Sequence, residues 1–188
     1  MIRGIPPYMV MITHFNFYLN KKTGKIHISG KEYPVCPKCG KLMAFRDTCK
    51  RNGLDKDARC RRYILRRFKC KDCKNTHREI PDFLFPYKHY EADVIQAAID
   101  GETDGISADN STIRNWQKQW QEQETRIQLV LAALLIKINN ETGKLIGSCP
   151  NIIISIKRKH SRWLAFVIKV LTLGCFPVYT QFAFCHSP

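Results

Sequence analysis

Apolar and polar residues alternate through "HFNFYLNKKTGKIHIS", residues 14–29, on both sides of a Lys/Thr/Gly turn. Period-two alternation predicts strands with one buried face, so Phe15, Phe17 and Leu19 share a side and Ile26 and Ile28 stand on the second strand of a β-hairpin. Further on, "KLMAFRDTCKR" and "ARCRRYILRRFKC" flank the turn "NGLDKD" and predict another strand pair. The second run alternates poorly. Its two sides, Arg61/Tyr63/Leu65/Arg67 and Arg62/Ile64/Arg66/Phe68, both mix apolar with basic groups, and neither is a conventional core face.

The prolines of "EIPDFLFPYKHY" break the strand pattern, so this stretch is read as a connector whose Phe83, Leu84, Phe85 and Tyr87 dock on a neighbour. Beyond it the period becomes helical. Tyr90, Val94, Ala97 and Ala98 recur at helical spacing until Gly101 stops them. "NSTIRNWQKQW" then opens with capping residues ahead of Ile113, Trp116 and Trp120, whose indoles are assigned to packing. From Gln121 to Asn139 the pattern continues as a longer helix with an apolar face of Ile127, Val130, Leu131, Leu134, Leu135 and Ile138. That face must bury against the rest of the chain, a protein partner or a second copy through residues 127–138. A last amphipathic segment runs from about Trp163 to Leu173, and "FPVYTQFAF" reads as a docked extended end. The expected fold is α+β, an N-terminal β-hairpin and zinc ribbon followed by an all-helical, helix-turn-helix-like C-terminal region. The expected units are 1–30, 31–80, 81–125 and 126–188.

Composition is that of a globular protein, with 44% apolar and 25% charged residues in 188. Charge is what departs from the ordinary: 31 Lys and Arg against 16 Asp and Glu give +15. Residues 36–80 hold 15 basic and 5 acidic side chains, a net +10. Such a local excess suits a polyanion, nucleic acid ahead of membrane. "IQLVLAALLI" and "WLAFVIKVLTLGCF" are shorter than the roughly 20 residues of a spanning helix, and Lys169 interrupts the second, so no membrane association is expected. The first residues lack an apolar run followed by a small-residue cleavage site, and a cytoplasmic location is expected.

Of the nine cysteines, Cys36, Cys39, Cys70 and Cys73 form two C-x2-C pairs, with Pro37 and Gly40 shaping the first turn. Zinc takes four tetrahedral ligands, and two such turns joined by a strand pair can converge four thiolates, so one structural Zn2+ is expected there. In small domains such an ion contributes on the order of 10 kcal/mol. Cys49 and Cys60 sit symmetrically on the two strands, within reach of facing each other, and are read as small apolar residues. His77, four places after Cys73, is read as a strand residue rather than a ligand, and Cys149, Cys175 and Cys185 as buried thiols.

Arg59, Arg61, Arg62, Arg66, Arg67 and Lys69 crowd one strand, with Tyr63 and Phe68 between them. The planar guanidinium fork matches phosphate oxygens, so this strand is a candidate backbone grip. Ser111, Thr112, Arg114, Asn115 and Lys118 open the second helix with groups that meet phosphates or base edges.

"CPKCGKLM", "RRFKCKDCKNTHREIPDFLFPYKHYEADVIQAAIDG", "STIRNWQKQW" and "YTQFAF" together resemble a family of small bacterial proteins built on a domain of unknown function. Its members combine a zinc ribbon with a helix-turn-helix-like region and are similar to the N-terminal parts of transposases. The resemblance implies zinc at Cys36, Cys39, Cys70 and Cys73 and DNA as partner, and supplies no reaction. The expected function is a zinc-binding DNA-binding protein, transposase-related or a transcriptional regulator, without a catalytic centre. Two alternatives stand beside it. A truncated transposase or nuclease relative would need clustered carboxylates, yet beyond Asp109 only Glu122, Glu124 and Glu141 are acidic. A zinc-ribbon adaptor would bind protein instead.

Overall fold

The computed structural model describes residues 9–142 and 151–173, apart from the side chains of Leu135, residues 137–142 and Leu173. Six strands come first: β1 (Met9–Ile12), β2 (Phe15–Asn20), β3 (Lys25–Gly30), β4 (Met43–Leu54), β5 (Cys60–Cys70) and β6 (Thr76–Pro81). Four helices follow: α1 (Ala92–Asp100), α2 (Asn110–Thr142), α3 (Ile152–Lys159) and α4 (Trp163–Leu173).

The alternation of residues 14–29 does form a hairpin, with Phe15 opposite Gly30 and Asn20 opposite Lys25, but of the expected buried side only Phe15 packs on the core, while Phe17 and Leu19 are exposed. It does not stand apart. β3 runs parallel to β5 from Lys25–Arg62 to His27–Ile64, and β1 runs parallel to β6 from Met9–Arg78 to Ile12–Pro81. Hairpin and cysteine-bearing strands therefore share one six-stranded mixed sheet. This overturns the expected hairpin and ribbon followed by an all-helical, helix-turn-helix-like region. The physical reason is non-local pairing: β1 and β6 are short and join through parallel ladders, which no turn signal announces. Residues 101–109 between α1 and α2 also exceed the three or four of a helix-turn-helix.

β5 organises the sheet. One edge pairs with β4 along its whole length, while the other is shared, Arg62–Ile64 facing β3 and Arg67–Lys69 facing β6. The core changes side at the same place. Tyr63 and Leu65 pack with Ile28, Ile80 and Leu84 on the face turned to the helices, whereas Phe68 and Cys70 pack with Cys36 and Met43 on the opposite face. A strand that swaps core faces halfway shows no clean alternation, which accounts for its sequence pattern.

Gly53 allows close approach on the helix side. A Cβ there would stand 2.9 Å from Tyr63 Cε2 and 3.0 Å from Leu84 Cδ2. Tyr63 in turn donates its hydroxyl to Glu91 at 2.7 Å, tying sheet to helices.

Helical periodicity was a good guide to α1 and α4. Gly101 ends α1 in the left-handed conformation, φ 83°, and α4 spans Trp163–Leu173. Residues 110–142 form one helix, and α3, uncovered by the sequence pattern, is capped by Asn151 accepting from Ile154 N–H at 3.0 Å. Ile127, Val130 and Leu131 bury in a core with Trp116, Trp120, Trp163 and Leu164, and Leu134 packs at its border. The indoles of Trp120 and Trp163 meet edge to face at 4.9 Å. Leu135 and Ile138 of the expected face, Cys149, Cys175, Cys185 and the "FPVYTQFAF" stretch lie outside the described residues or side chains. Among the described residues no helix is long and apolar enough to cross a membrane.

Candidate metal centre and its cationic surround

Two tight turns present the cysteines. At the first, Cys36 N–H donates to Lys41 O and Gly40 N–H to Cys36 O, both at 2.8 Å, and Gly40 takes φ 71°. At the second, Cys70 N–H donates to Asn75 O at 3.0 Å and Lys74 takes φ 59°. A left-handed residue directly after the second cysteine of each pair folds the chain back on itself. Glycine signals that need in the first turn, and nothing in the residue type signals it in the second.

The four Sγ atoms of Cys36, Cys39, Cys70 and Cys73 all lie within 4.8 Å of one another. Cys36 and Cys73 are 3.5 Å apart and Cys39 and Cys70 3.4 Å. Metal–thiolate bonds of about 2.3 Å put tetrahedral corners about 3.8 Å apart, so the spacing fits one four-coordinate ion. Cys36 and Cys70 are buried, whereas Cys39 is exposed. Burial pushes the Cys36 thiol up to about 12. Backbone N–H of Cys73, foremost among its donors, brings Cys70 down to about 7. A cation bound among the four sulfurs would favour their thiolate forms.

His77 enters from β6, opposite Phe68, fully buried, with Nε2 3.4 Å from Cys36 Sγ. It is a strand residue, as the sequence reading had it, and also a hydrogen-bonding neighbour of the cluster, which spacing alone does not reveal. Cys49 and Cys60 do not face each other: Cys49 pairs with Leu65 and Cys60 with Leu54. Cys49 packs against the helix-side core, and Cys60 is exposed.

The strand arginines separate into two groups. Three hold carboxylates: Arg61 on Asp55 at 3.0 Å, Arg66 on Glu79 at 2.7 Å and Arg67 on Asp47 at 2.5 Å. Arg62 and Lys69 are exposed without an ion pair among the described residues, and exposed Arg59 has only a 3.9 Å approach to Asp57. Asp55 shapes the β4–β5 turn, accepting from the N–H groups of Asp57 at 3.0 Å and Arg59 at 2.9 Å as well as from Arg61. Those backbone donors, Arg59 first, and the Arg61 guanidinium hold its carboxyl below the usual range.

At the start of α2, Ser111 and Thr112 spend their hydroxyls on Asp109, at 2.5 and 2.8 Å, and Thr112 N–H also donates to it at 2.8 Å. These bonds, led by the Ser111 hydroxyl, hold the Asp109 carboxyl well below the usual range. Arg114, Asn115 and Lys118 are exposed along the next turns. Ser107 donates to Asp55 O at 2.9 Å, so the arginine turn and the beginning of α2 are neighbours in space.

The family pattern described as Domain of unknown function (DUF6431) matches residues 36–116, from the first cysteine to Trp116 in α2. No curated protein and no solved structure matches the chain.

Proposed function

We propose that this chain is a zinc-stapled DNA-binding protein, a transcriptional regulator or an accessory of a mobile element, with no catalytic centre of its own. The observation that carries this reading is the convergence of four cysteine sulfurs at one end of a strand pair whose segment bears most of the protein's net positive charge. A thiolate-only site of tetrahedral size suits zinc, and a closed set of four protein ligands suits a structural ion rather than a catalytic one.

Duplex phosphates are met by Arg59 on the turn and by Arg114 and Lys118 on α2, a grouping supported by the Ser107–Asp55 bond, which joins that turn to the segment leading into α2. Arg61, Arg66 and Arg67 serve the fold through their carboxylates, and a phosphate at Arg66 would have to displace a buried Glu79. Ser111 and Thr112 act through Asp109 in holding the start of the helix, while Asn115 is free to approach base edges once its bond from Gln119 opens.

The test is metal analysis followed by duplex-DNA titration of the metal-loaded protein across a salt series. One zinc per chain is expected, with affinity falling as salt rises. Replacing Arg59, Arg114 and Lys118 together by alanine should reduce the log–log salt slope by about 2 to 3. A protein that purifies and folds without metal, or ignores DNA in dilute buffer, overturns the reading.

A further inference from the structure

The connector between β6 and α1 covers one face of the sheet over β4 and β5, through the Tyr63–Glu91 bond and through Arg51, which donates to the carbonyls of Phe85 and Lys88, and leaves Phe17 and Leu19 of β2 exposed on that face. The opposite face is capped at one end by the cysteine cluster and left open over β2, β3, the first half of β5 and β4. Residues opposite each other in register share a face, so the open surface reads as rows across four strands. One row is Asn20, Lys25, Arg62 and Asn52, and the next is Tyr18, His27 and Lys50 with Ile64 buried between them. Asn16 and Ser29 continue the pattern on one side and Thr48 on the other.

Three features of this face are unusual for plain solvent exposure. Tyr18 stands 66% exposed beside His27, their rings 6.3 Å apart, and Phe45 is 59% exposed toward the metal end. Lys25, Lys50 and Arg62 form no ion pair among the described residues. No exposed carboxylate stands on this side of the four strands: Asp47 belongs to the other face, and Glu79 of neighbouring β6 is buried under Arg66. Four strands about 4.8 Å apart make a platform about 14 Å across, enough for two or three unstacked bases.

We infer that this open sheet face binds single-stranded nucleic acid, with bases stacked on Tyr18 and His27 and the phosphodiester chain following Lys25, Arg62 and Lys50. The inference rests on the nucleic-acid reading above and adds to it a surface and a strandedness. Aromatic groups set among unpaired cations on an open sheet face are the requirement of single-strand binding, since every base offers a π-face and every linkage a charge. A duplex buries its base faces and cannot use the tyrosine. A second copy of the same face would bring like charges together.

The experiment uses the metal-loaded full chain with a fluorescent oligothymidylate of about 12 nucleotides and, in parallel, a duplex. Tyr18→Ala should weaken the single strand by about 5- to 100-fold and leave the duplex within about 2-fold. Lys50→Ala with Arg62→Ala should lower the single-strand salt slope by about 1.4. All three side chains are exposed, and zinc content reports whether the variants keep their fold. Tight duplex binding without single-strand binding, or a single-strand affinity indifferent to Tyr18, Lys50 and Arg62, overturns the inference and leaves the proposed function standing. Failure to bind either nucleic acid overturns both.

Discussion

Arg66 and Glu79 form a two-pronged ion pair, Nε to Oε2 at 2.8 Å and Nη2 to Oε1 at 2.7 Å, where β5 passes from β3 to β6. Nη2 also donates to Gly30 O at 2.8 Å, and Gly30 N–H donates to Glu79 Oε2 at 3.3 Å. The pair fills the gap between two strands that share one edge of β5, and the guanidinium lies 5.0 Å from the Phe68 ring centre. Gly30 makes room for it: a Cβ there would come within 2.8 Å of Glu79 Oε1.

Removing one partner leaves a half-buried charge without its counter-ion. Glu79→Gln should destabilise the protein by about 3–5 kcal/mol, read from the midpoint of urea unfolding. Replacing both, as Arg66→Met with Glu79→Leu, should cost less than the single change, because no uncompensated charge remains. Equal losses for single and double variants would mean that the residues act only by filling space.

Metal removal should release the strand end that the cysteines hold. A strong chelator, or Cys70→Ser, is expected to raise amide exchange from Phe68 to Cys70 and in the Cys36–Lys41 turn, with a stability loss on the order of 10 kcal/mol for the metal-dependent part. α4 and the Trp120–Trp163 contact belong to a separate core and should lose protection less. Uniform loss of protection would instead make sheet and helices one cooperative unit.

The carboxylate of Asp55 stabilises the β4–β5 turn only while ionised. Its folded pKa lies below the unfolded value of about 3.9, so its contribution is complete above that value and disappears as pH falls through the folded one. Asp55→Asn should lower stability by about 1.5–3 kcal/mol near neutrality. The gap between variant and wild type should close in acid below about pH 4, measured by unfolding at a series of pH values. A gap independent of pH would refute the role of the charge.

Gly53→Ala tests the closeness of sheet and connector. With Tyr63 and Leu84 both inside contact distance, the added methyl should cost about 1–3 kcal/mol and disturb the Tyr63–Glu91 bond. Thermal unfolding together with the tyrosine absorbance titration reads both effects. Tyr63 titrates only at high pH in the native protein, pushed up by burial and by Glu91, and the variant should bring it down.

Local chemistry was legible wherever a few consecutive residues decide the outcome. The C-x2-C spacing located all four members of the thiol cluster, the alternation around Lys21–Gly24 located the hairpin, and Gly101 located the end of α1. Each depends on turn geometry or periodicity within a short stretch of chain. The tertiary structure alone decided the parallel joining of β1 to β6, the change of core face along β5, and the entry of His77 beside Cys36. It also decided which arginines are committed. Arg61, Arg66 and Arg67 are neighbours in sequence, but the carboxylates that hold them come from the β4–β5 turn, β6 and β4. A count of charges cannot tell a paired cation from an unpaired one, because the Arg66–Glu79 and Arg67–Asp47 pairs join strands that meet only when the sheet closes.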